Sequence, residues 1–212
     1  LCADRLSDPD AGVRRAAARG LQRTPTPGAL PALAKASRDV DAGVRAASIG
    51  ALERIGGSAA GEAIVAALKD RDSEVRQAAF DTAVRMNLQR RALPALLGML
   101  AQDDPLRKRE ILSAIGDAGD RSALPALLKV LKDDPDAGAR QAAAIALLKL
   151  KDPGSTEALI RALDDPSRWV QAYAMRALTV ITREPHGEDR GAWKRWWGER
   201  RTAVSKAACR TS

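Results

Sequence analysis

The feature that most constrains the fold of this chain is a repeat of about 31 residues. The segment Asp10-Ala-Gly-Val-Arg14 returns as Asp41-Ala-Gly-Val-Arg45 and again as Asp72-Ser-Glu-Val-Arg76. Three altered copies follow, and they begin at Asp104, Asp136 and Ser167. A fixed period of this length is typical of proteins built from small units that stack on one another. The sequence therefore predicts an array of similar units.

Each unit is predicted to hold two helices. The Asp that opens the segment suits an N-cap, and apolar residues such as Val44, Leu52 and Ile55 follow it at helical spacing up to a closing Gly56. We call this the second helix of the unit. A shorter first helix precedes it, marked by the phrase Ala-Leu-Pro-Ala-Leu with the Pro in the opening turn; the phrase occurs at 29–33, 92–96 and 123–127. Only 3% of the residues are aromatic, so alanine and leucine must fill the core.

The Asp-x-x-Val-Arg caps and the paired helices resemble HEAT-like repeats, in particular the short bacterial type named after the phycobilisome lyases. The resemblance covers residues 1–182, whose first repeat is incomplete, and leaves a tail, residues 183–212. It implies an all-α fold, a right-handed α-solenoid (α-α superhelix) of about six HEAT-like helix pairs. It also implies that the Arg after the Val forms a ladder with the cap acids of neighbouring units. The joint change to Gln171 and Ser167 in the last unit supports that pairing.

The tail is predicted to be a polar loop followed by a basic helix rich in tryptophan. Trp193, Trp196 and Trp197 recur at helical spacing and share one face of that helix. A similar ending follows the last repeat in many bacterial HEAT-repeat proteins. We expect it to cap the array, since the last repeat would otherwise expose its apolar face, or else to contact a partner. Trp169 and Tyr173 are expected to stack within the same aromatic cluster.

Charge favours an anionic partner without identifying it. The formal net charge is +8, and the tail alone carries 8 basic and 4 acidic residues. The resemblance implies that second helices line the concave side of the array. Projection of these helices places the following outward-facing candidates for partner binding on that side: Arg15, Arg19, Arg23, Arg54, Arg85, Arg109, Ile145, Leu148, Lys149, Arg176 and Val180.

The function predicted from these features is a non-enzymatic scaffold or adaptor that binds a protein partner with an acidic surface. The basic residues would steer the partner and the apolar ones would anchor it. Nucleic-acid binding is the alternative, in the manner of HEAT-like alkylpurine DNA glycosylases. Asp81 and Asp117 would then be the candidate acids, but the predicted concave face lacks clustered aromatic residues.

Other classes of function find little support in the sequence. Cys2 and Cys209 stand at opposite ends and His186 is the single histidine, so we expect no metal site, no catalytic centre and no cofactor. No nucleotide-binding glycine motif occurs, and no apolar run is long enough to span a bilayer. The chain begins inside a repeat, from which we expect it to be part of a longer polypeptide or a complex. The compartment stays open, because a signal peptide could have been removed.

Overall fold

The computed structural model describes residues 3–100 and 105–208, and these ranges form α-helices, short turns of 3-10 helix and loops, with no strand. The α-helices of the described ranges are Ala11–Arg23 (α1), Leu30–Ala36 (α2), Ala42–Ile55 (α3), Gly57–Ala67 (α4), Ser73–Arg85 (α5), Gln89–Met99 (α6), Pro105–Ala118 (α7), Leu124–Asp133 (α8), Ala137–Leu150 (α9), Thr156–Ala162 (α10), Arg168–Thr182 (α11) and Arg190–Ala208 (α12).

The helices are arranged as stacked pairs within two compact units, residues 1–98 and residues 99–212. In the first unit the second helices α1, α3 and α5 stack in chain order, while α2 packs on α3 and α4 packs on α5. In the second unit α7, α9 and α11 stack in the same way, α8 packs on α9, and α10 packs on α11. This is the all-helical, α-solenoid organisation that the period predicted.

The predicted N-caps Asp10, Asp41, Asp72 and Asp136 are confirmed, whereas Asp104 lies outside the described residues. The Asp41 carboxylate accepts a hydrogen bond from the Val44 N–H at 2.8 Å, which satisfies a free donor of the first helical turn. The same bond is accepted by Asp10, Asp72 and Asp136. Ser167 has the extended backbone of an N-cap, but its side chain makes no capping bond. At the other end of α3, Gly56 ends the helix with a positive φ of 73°, a conformation that favours glycine.

Small side chains allow the second helices to approach one another closely. At Gly116 on α7, an added Cβ would lie 2.9 Å from the Cα of Ala146 on α9, so only glycine fits without a shift. Ala51, Ala144 and Ala174 are fully buried between neighbouring helices. Short helix-to-helix distances increase the number of dispersion contacts, which explains why a chain so rich in alanine forms a dense core.

The prolines of the first helices follow the prediction with one exception. Pro31 and Pro125 lie in the opening turn of α2 and α8, as expected. Pro94 does not, because α6 already begins at Gln89 and so contains Pro94 in its interior. The chain enters α6 directly after Asn87, whose φ is 55°, whereas α2 and α8 are each preceded by a turn of 3-10 helix.

A ladder of ion pairs joins α1, α3, α7 and α9 each to the turn before the following second helix. Arg45 on α3 donates from Nε and Nη2 to the two carboxylate oxygens of Asp70, both at 2.7 Å, and the arginine is only 4% exposed. Its Nη1 also donates to the carbonyl oxygens of Asp39 and Val40, at 2.9 and 3.1 Å. One guanidinium therefore joins the turn before its own helix to the turn before the next. The equivalent ion pairs are Arg14 with Asp39, Lys108 with Asp134, and Arg140 with Asp165.

The acid in this ladder is not the cap acid that the resemblance implied. Arg45 pairs with Asp70, which stands two residues before the N-cap Asp72. The Asp72 carboxylate is occupied by N–H groups of its own helix, while Asp70 is oriented by a hydrogen bond from the Asp72 N–H at 2.9 Å. Asp72 thus caps its own helix, and Asp70 forms the ion pair with the preceding second helix.

The inference drawn from the joint change to Gln171 and Ser167 is wrong for the same reason. Arg140 keeps its bridging acid, Asp165, although the cap position is Ser167. Gln171 stands at the position of a ladder arginine. It forms only the bond to the turn before its own helix, from its Nε2 to the Asp165 carbonyl oxygen at 2.7 Å. The two changes are therefore independent of each other.

We expect Asp70→Asn to lower the free energy of unfolding by about 3 kcal/mol, because it leaves the buried Arg45 guanidinium without its counter-charge. Asn retains the oxygen that accepts from the Asp72 N–H, so the substitution tests the charge. Urea denaturation at neutral pH measures the change. Glu62→Gln is the control, since it removes a carboxylate from the exposed pair with Arg91 and should change stability by about 0.5 kcal/mol or less. Equal effects of the two substitutions would contradict a structural role for the ladder.

We also expect acid to destabilise the protein through the ladder. Hydrogen bonds from Arg14 hold the pKa of Asp39 below its usual value. Burial raises the pKa values of Asp70 and Asp165, but the hydrogen bonds from their arginines and from backbone N–H groups outweigh it and lower them. Stability from such groups is present above the unfolded pKa of about 3.9 and is lost as the pH falls through the folded values.

The free energy of unfolding should accordingly be level from about pH 7 to 5 and fall below about pH 4. Urea denaturation at a series of pH values measures this profile. The fall should be shallower in Asp70→Asn, and a profile that stays level down to about pH 2 would show that these carboxylates do not support the fold.

Candidate interaction surface

The exposed side of the second helices, which we call the second-helix face, carries the predicted binding residues of the first unit. The structure places all of them at exposed or partly exposed positions of α1, α3 and α5: Arg15, Arg19, Arg23, Arg54 and Arg85.

Two of these arginines are engaged within the unit. Arg85 makes a two-pronged pair with Glu53, at 2.6 and 2.9 Å, and its hydrogen bonds lower the pKa of that carboxyl. Arg15 reaches the cap carboxylate of Asp41 at 3.2 Å. In the described part of the chain, no ion pair is formed by the other three, Arg19, Arg23 and Arg54.

The basic residues predicted in the second unit are mostly engaged as well. Arg109 pairs with the cap carboxylate of Asp136 at 3.0 Å, and Lys149 pairs with Asp117 at 2.6 Å. Of the apolar candidates, Val180 is 44% exposed, whereas Ile145 and Leu148 are half-buried.

The glycine of the repeated Asp-Ala-Gly phrase has a structural role that the sequence did not reveal. Arg15 lies across Gly43 to reach its cap acid, and a Cβ at Gly43 would lie 2.6 Å from the arginine Nε. Arg109 lies across Gly138 in the same way, and a Cβ there would overlap its guanidinium. We call this arrangement of arginine, glycine and cap aspartate a clasp.

The clasp is absent where α9 meets α11. The three equivalent positions hold Gln141 in place of the arginine, Trp169 in place of the glycine and Ser167 in place of the cap aspartate. Trp169 is 55% exposed, and Arg168 lies over its ring, with Cζ 5.3 Å from the ring centroid.

Trp169 begins a row of side chains along one side of α11. Trp169, Tyr173, Arg176 and Val180, which we call the Trp169 stripe, are spaced by four, three and four residues and so lie above one another on the helix. The Arg176 Cζ lies 5.7 Å from the Tyr173 ring centroid. The expectation that Trp169 and Tyr173 join the aromatic cluster of the tail is wrong, because the ring contacts of these two residues are with arginines of α11 itself.

The cluster in the tail is formed by α12 and the loop before it. Trp193 is fully buried, and its Nε1 donates to the Gly187 carbonyl at 3.0 Å. The His186 ring meets it edge-on, with centroids 4.8 Å apart. Trp196 follows at 5.7 Å from Trp193, and Trp197 at 6.0 Å from Trp196; both are partly exposed.

Polar contacts attach the start of α12 to the last repeat, where α12 packs against α10. Lys194 pairs with Asp164 at 2.6 Å. Arg190 donates to the Gln171 side-chain oxygen at 3.1 Å. Gln171, which is uncharged where other second helices have a basic ladder residue, thus accepts a hydrogen bond from an arginine of the tail.

The residues considered above for chemistry each contact a neighbouring side chain. His186 stands between indole rings, Asp81 accepts a hydrogen bond from Gln77 at 2.7 Å, and Asp117 is held by Lys149. Within residues 3–100 and 105–208, no three or more His, Cys, Asp or Glu side chains are grouped as metal ligands would be. The search of those same ranges for a helix able to cross a membrane found none.

A groove of about 930 Å³ opens on the side of the first helices in the first unit. Alanines of α2 and α4 line it together with the ladder pair of Arg14 and Asp39, whose polar atoms bond to each other. The ion pair in its wall belongs to the ladder.

Comparison with known proteins agrees with this architecture. The family described as HEAT repeats matches residues 2–82, 41–114 and 93–179. No curated protein gave a significant match.

Several solved structures have a similar fold. The complex of CpcE and CpcF of phycocyanin lyase from Nostoc sp. PCC7120 is 25% identical over 85% of this chain and 76% of that one, with a TM-score of 0.54. A designed armadillo repeat protein in complex with the peptide (KR)4 is 20% identical over 85% of this chain and 98% of that one, with a TM-score of 0.56. An engineered protein from a structural genomics programme is 23% identical over 86% of this chain and 98% of that one, with a TM-score of 0.53.

The overlapping matches to the family extend over most of the chain and coincide with the stacked helix pairs of both units. The chain belongs to the HEAT repeat family.

Proposed function

We propose that this HEAT-repeat chain is a non-enzymatic scaffold that binds a protein partner through its second-helix face and its C-terminal end. The observation that supports this proposal most is that some charged residues form ion pairs within the fold whereas others do not. The ladder and the clasps are used to hold helices together, whereas Arg19, Arg23 and Arg54 stand exposed on the second-helix face of the first unit without ion pairs in the described part of the chain.

The proposed partner has an acidic surface. Exposed arginines that are not neutralised within the protein attract acidic groups at long range and raise the rate of association. The backbone of stacked helices is already ordered, so binding does not lose backbone conformational entropy. In the second unit, Val180 and the partly buried Ile145 and Leu148 would supply apolar contact area, and Arg176 would add a positive charge.

Similar folds in other proteins are compatible with such a role. The designed armadillo repeat protein holds a peptide, and CpcE and CpcF form a complex with each other. The peptide in the armadillo structure is basic, whereas the arginines left exposed here favour the opposite charge.

We expect the combined substitution Arg19→Glu, Arg23→Glu and Arg54→Glu to abolish capture of the partner, because it reverses the charge of the proposed surface. The control is Lys35→Glu, Lys69→Glu and Lys129→Glu, which makes the same change of charge at exposed positions on or next to the first helices. Quantitative mass spectrometry of proteins captured from cells that make this chain measures the difference. The same measurement on Ile145→Glu with Leu148→Glu tests the apolar contact in the second unit, with circular dichroism to establish that each variant is folded. Identical capture by both arginine and lysine variants would refute the assignment of the second-helix face.

Nucleic-acid binding is the second candidate, and the unpaired arginines of α1 and α3 are the observation that favours it. A protein that contacts several phosphates loses affinity steeply as salt rises. We therefore expect no measurable binding of duplex DNA at about 50 mM salt if the partner is a protein. Tight binding that weakens with salt, and that Arg19→Glu reduces, would replace the protein-binding proposal with the nucleic-acid one.

We further propose that the tail, residues 183–212, caps the repeats of residues 1–182 through Trp193. We expect Trp193→Ala to lower the free energy of unfolding by about 3 kcal/mol or more, because it removes a fully buried indole together with its hydrogen bond. Trp197→Ala, at a partly exposed position of the same helix, should cost clearly less. Urea denaturation compares the two, and an equal small loss in both would mean that α12 does not cap the array.

A further inference from the structure

The Trp169 stripe is the part of the second unit that its own fold does not explain. Glycine occupies the position of Trp169 in α1, α3 and α9, so the helix pair does not require a large side chain there. Trp169 is nevertheless 55% exposed and Val180 is 44% exposed. Large apolar side chains grouped on a surface commonly mark a contact site.

The replacement of the clasp at this place is coordinated. All three of its members change together, to Gln141, Trp169 and Ser167, whereas the contact of α3 with α5 loses only the arginine and glycine and keeps the cap Asp72. At this contact an exposed aromatic side chain therefore stands where the clasp would have an ion pair.

The register of the stacked helices places α9 side chains beside the stripe. Gln22 of α1 lies against Gly50 of α3, and the equivalent positions at the contact of α9 with α11 are Leu148 and Arg176. Leu148 therefore extends the apolar surface of the stripe towards α9.

The charged residues of α9 and α11 are all basic. Arg140 and Lys149 on α9 are paired with Asp165 and Asp117, but Arg168 and Arg176 lie over aromatic rings and have no acidic partner in the described ranges. A cation over an aromatic ring is held in place while its hydrogen-bond donors stay available.

We infer that the Trp169 stripe, with Leu148 beside it, is the docking site for an acidic peptide segment of a partner protein that carries a large apolar side chain. The apolar side chain packs against Trp169, the peptide continues along α11 past Leu148 and Val180, and its carboxylates pair with Arg168 and Arg176. This inference rests on the proposed function and names the partner's chemistry and the place where it is anchored.

Two features favour a peptide over a nucleic acid. The guanidinium groups of Arg168 and Arg176 already lie over the rings of Trp169 and Tyr173, where a base would have to stack. Val180 and Leu148 add aliphatic surface, which suits an apolar side chain of a peptide.

The test selects random peptides displayed on phage against the whole chain and measures the affinity of those recovered by fluorescence anisotropy. We expect acidic peptides that contain at least one large apolar residue. Their affinity should fall about tenfold or more for Trp169→Ala and for Arg176→Glu. It should stay within about twofold for the matched controls, Val40→Ser at an exposed valine of the first unit and Lys129→Glu at an exposed lysine of α8.

Four results would overturn the inference. Peptides that bind Trp169→Ala as tightly as the unaltered chain, but lose affinity for the triple Arg19, Arg23 and Arg54 variant, would move the site to the first unit and leave the proposed function standing. If acidic peptides bind equally well after their apolar residue is changed to Ser, the stripe recognises only their charge. Single-stranded DNA that binds more tightly than any peptide, and depends on Trp169, would assign the stripe to nucleic acid. Recovery of no binding peptide would count against both the inference and the proposed function.

Discussion

The contact between a cation near the start of one second helix and an aspartate in the turn before the next one is the interaction on which this architecture depends. Helix pairs rich in alanine bury apolar surface when they stack, but that attraction is non-directional and tolerates sliding. The Arg45 guanidinium has a single arrangement that satisfies both Asp70 and the carbonyls of its own turn. A buried charge without partners is strongly unfavourable. The ladder therefore selects one register between neighbouring repeats that it joins.

The ladder also determines which charged residues are neutralised within the fold. It lies at the beginnings of the second helices, and the clasps of Arg15 and Arg109 hold further charges on the outer side of the same helices. On the second helices, Arg19, Arg23 and Arg54 stay exposed in the first unit, and Trp169 and Val180 stay exposed on α11. The contact between α9 and α11 has none of the three clasp residues, and it is there that Trp169 stands exposed.

Several features could be predicted because they depend on local chemistry. An Asp before a helical apolar pattern caps that helix wherever the helix lies, so Asp41 behaved as expected. The bridging role of Asp70 was missed, because two aspartates separated by one residue are equally plausible partners until the neighbouring arginine has a position. Pro94 was misplaced since the start of α6 depends on the turn at Asn87. Trp169 was assigned to the tail cluster because helical spacing does not show which other element a side chain meets.

The sequence by itself determined the repeat, the helix pairs, their caps and the all-helical class, since each follows from periodicity and short-range hydrogen bonding. Tertiary structure alone decided which acid meets which arginine, which basic residues are neutralised, and that Trp193 is buried while Trp169 is exposed. These outcomes depend on groups about 25 to 35 residues apart in the chain, and their distances arise only when one repeat packs on the next.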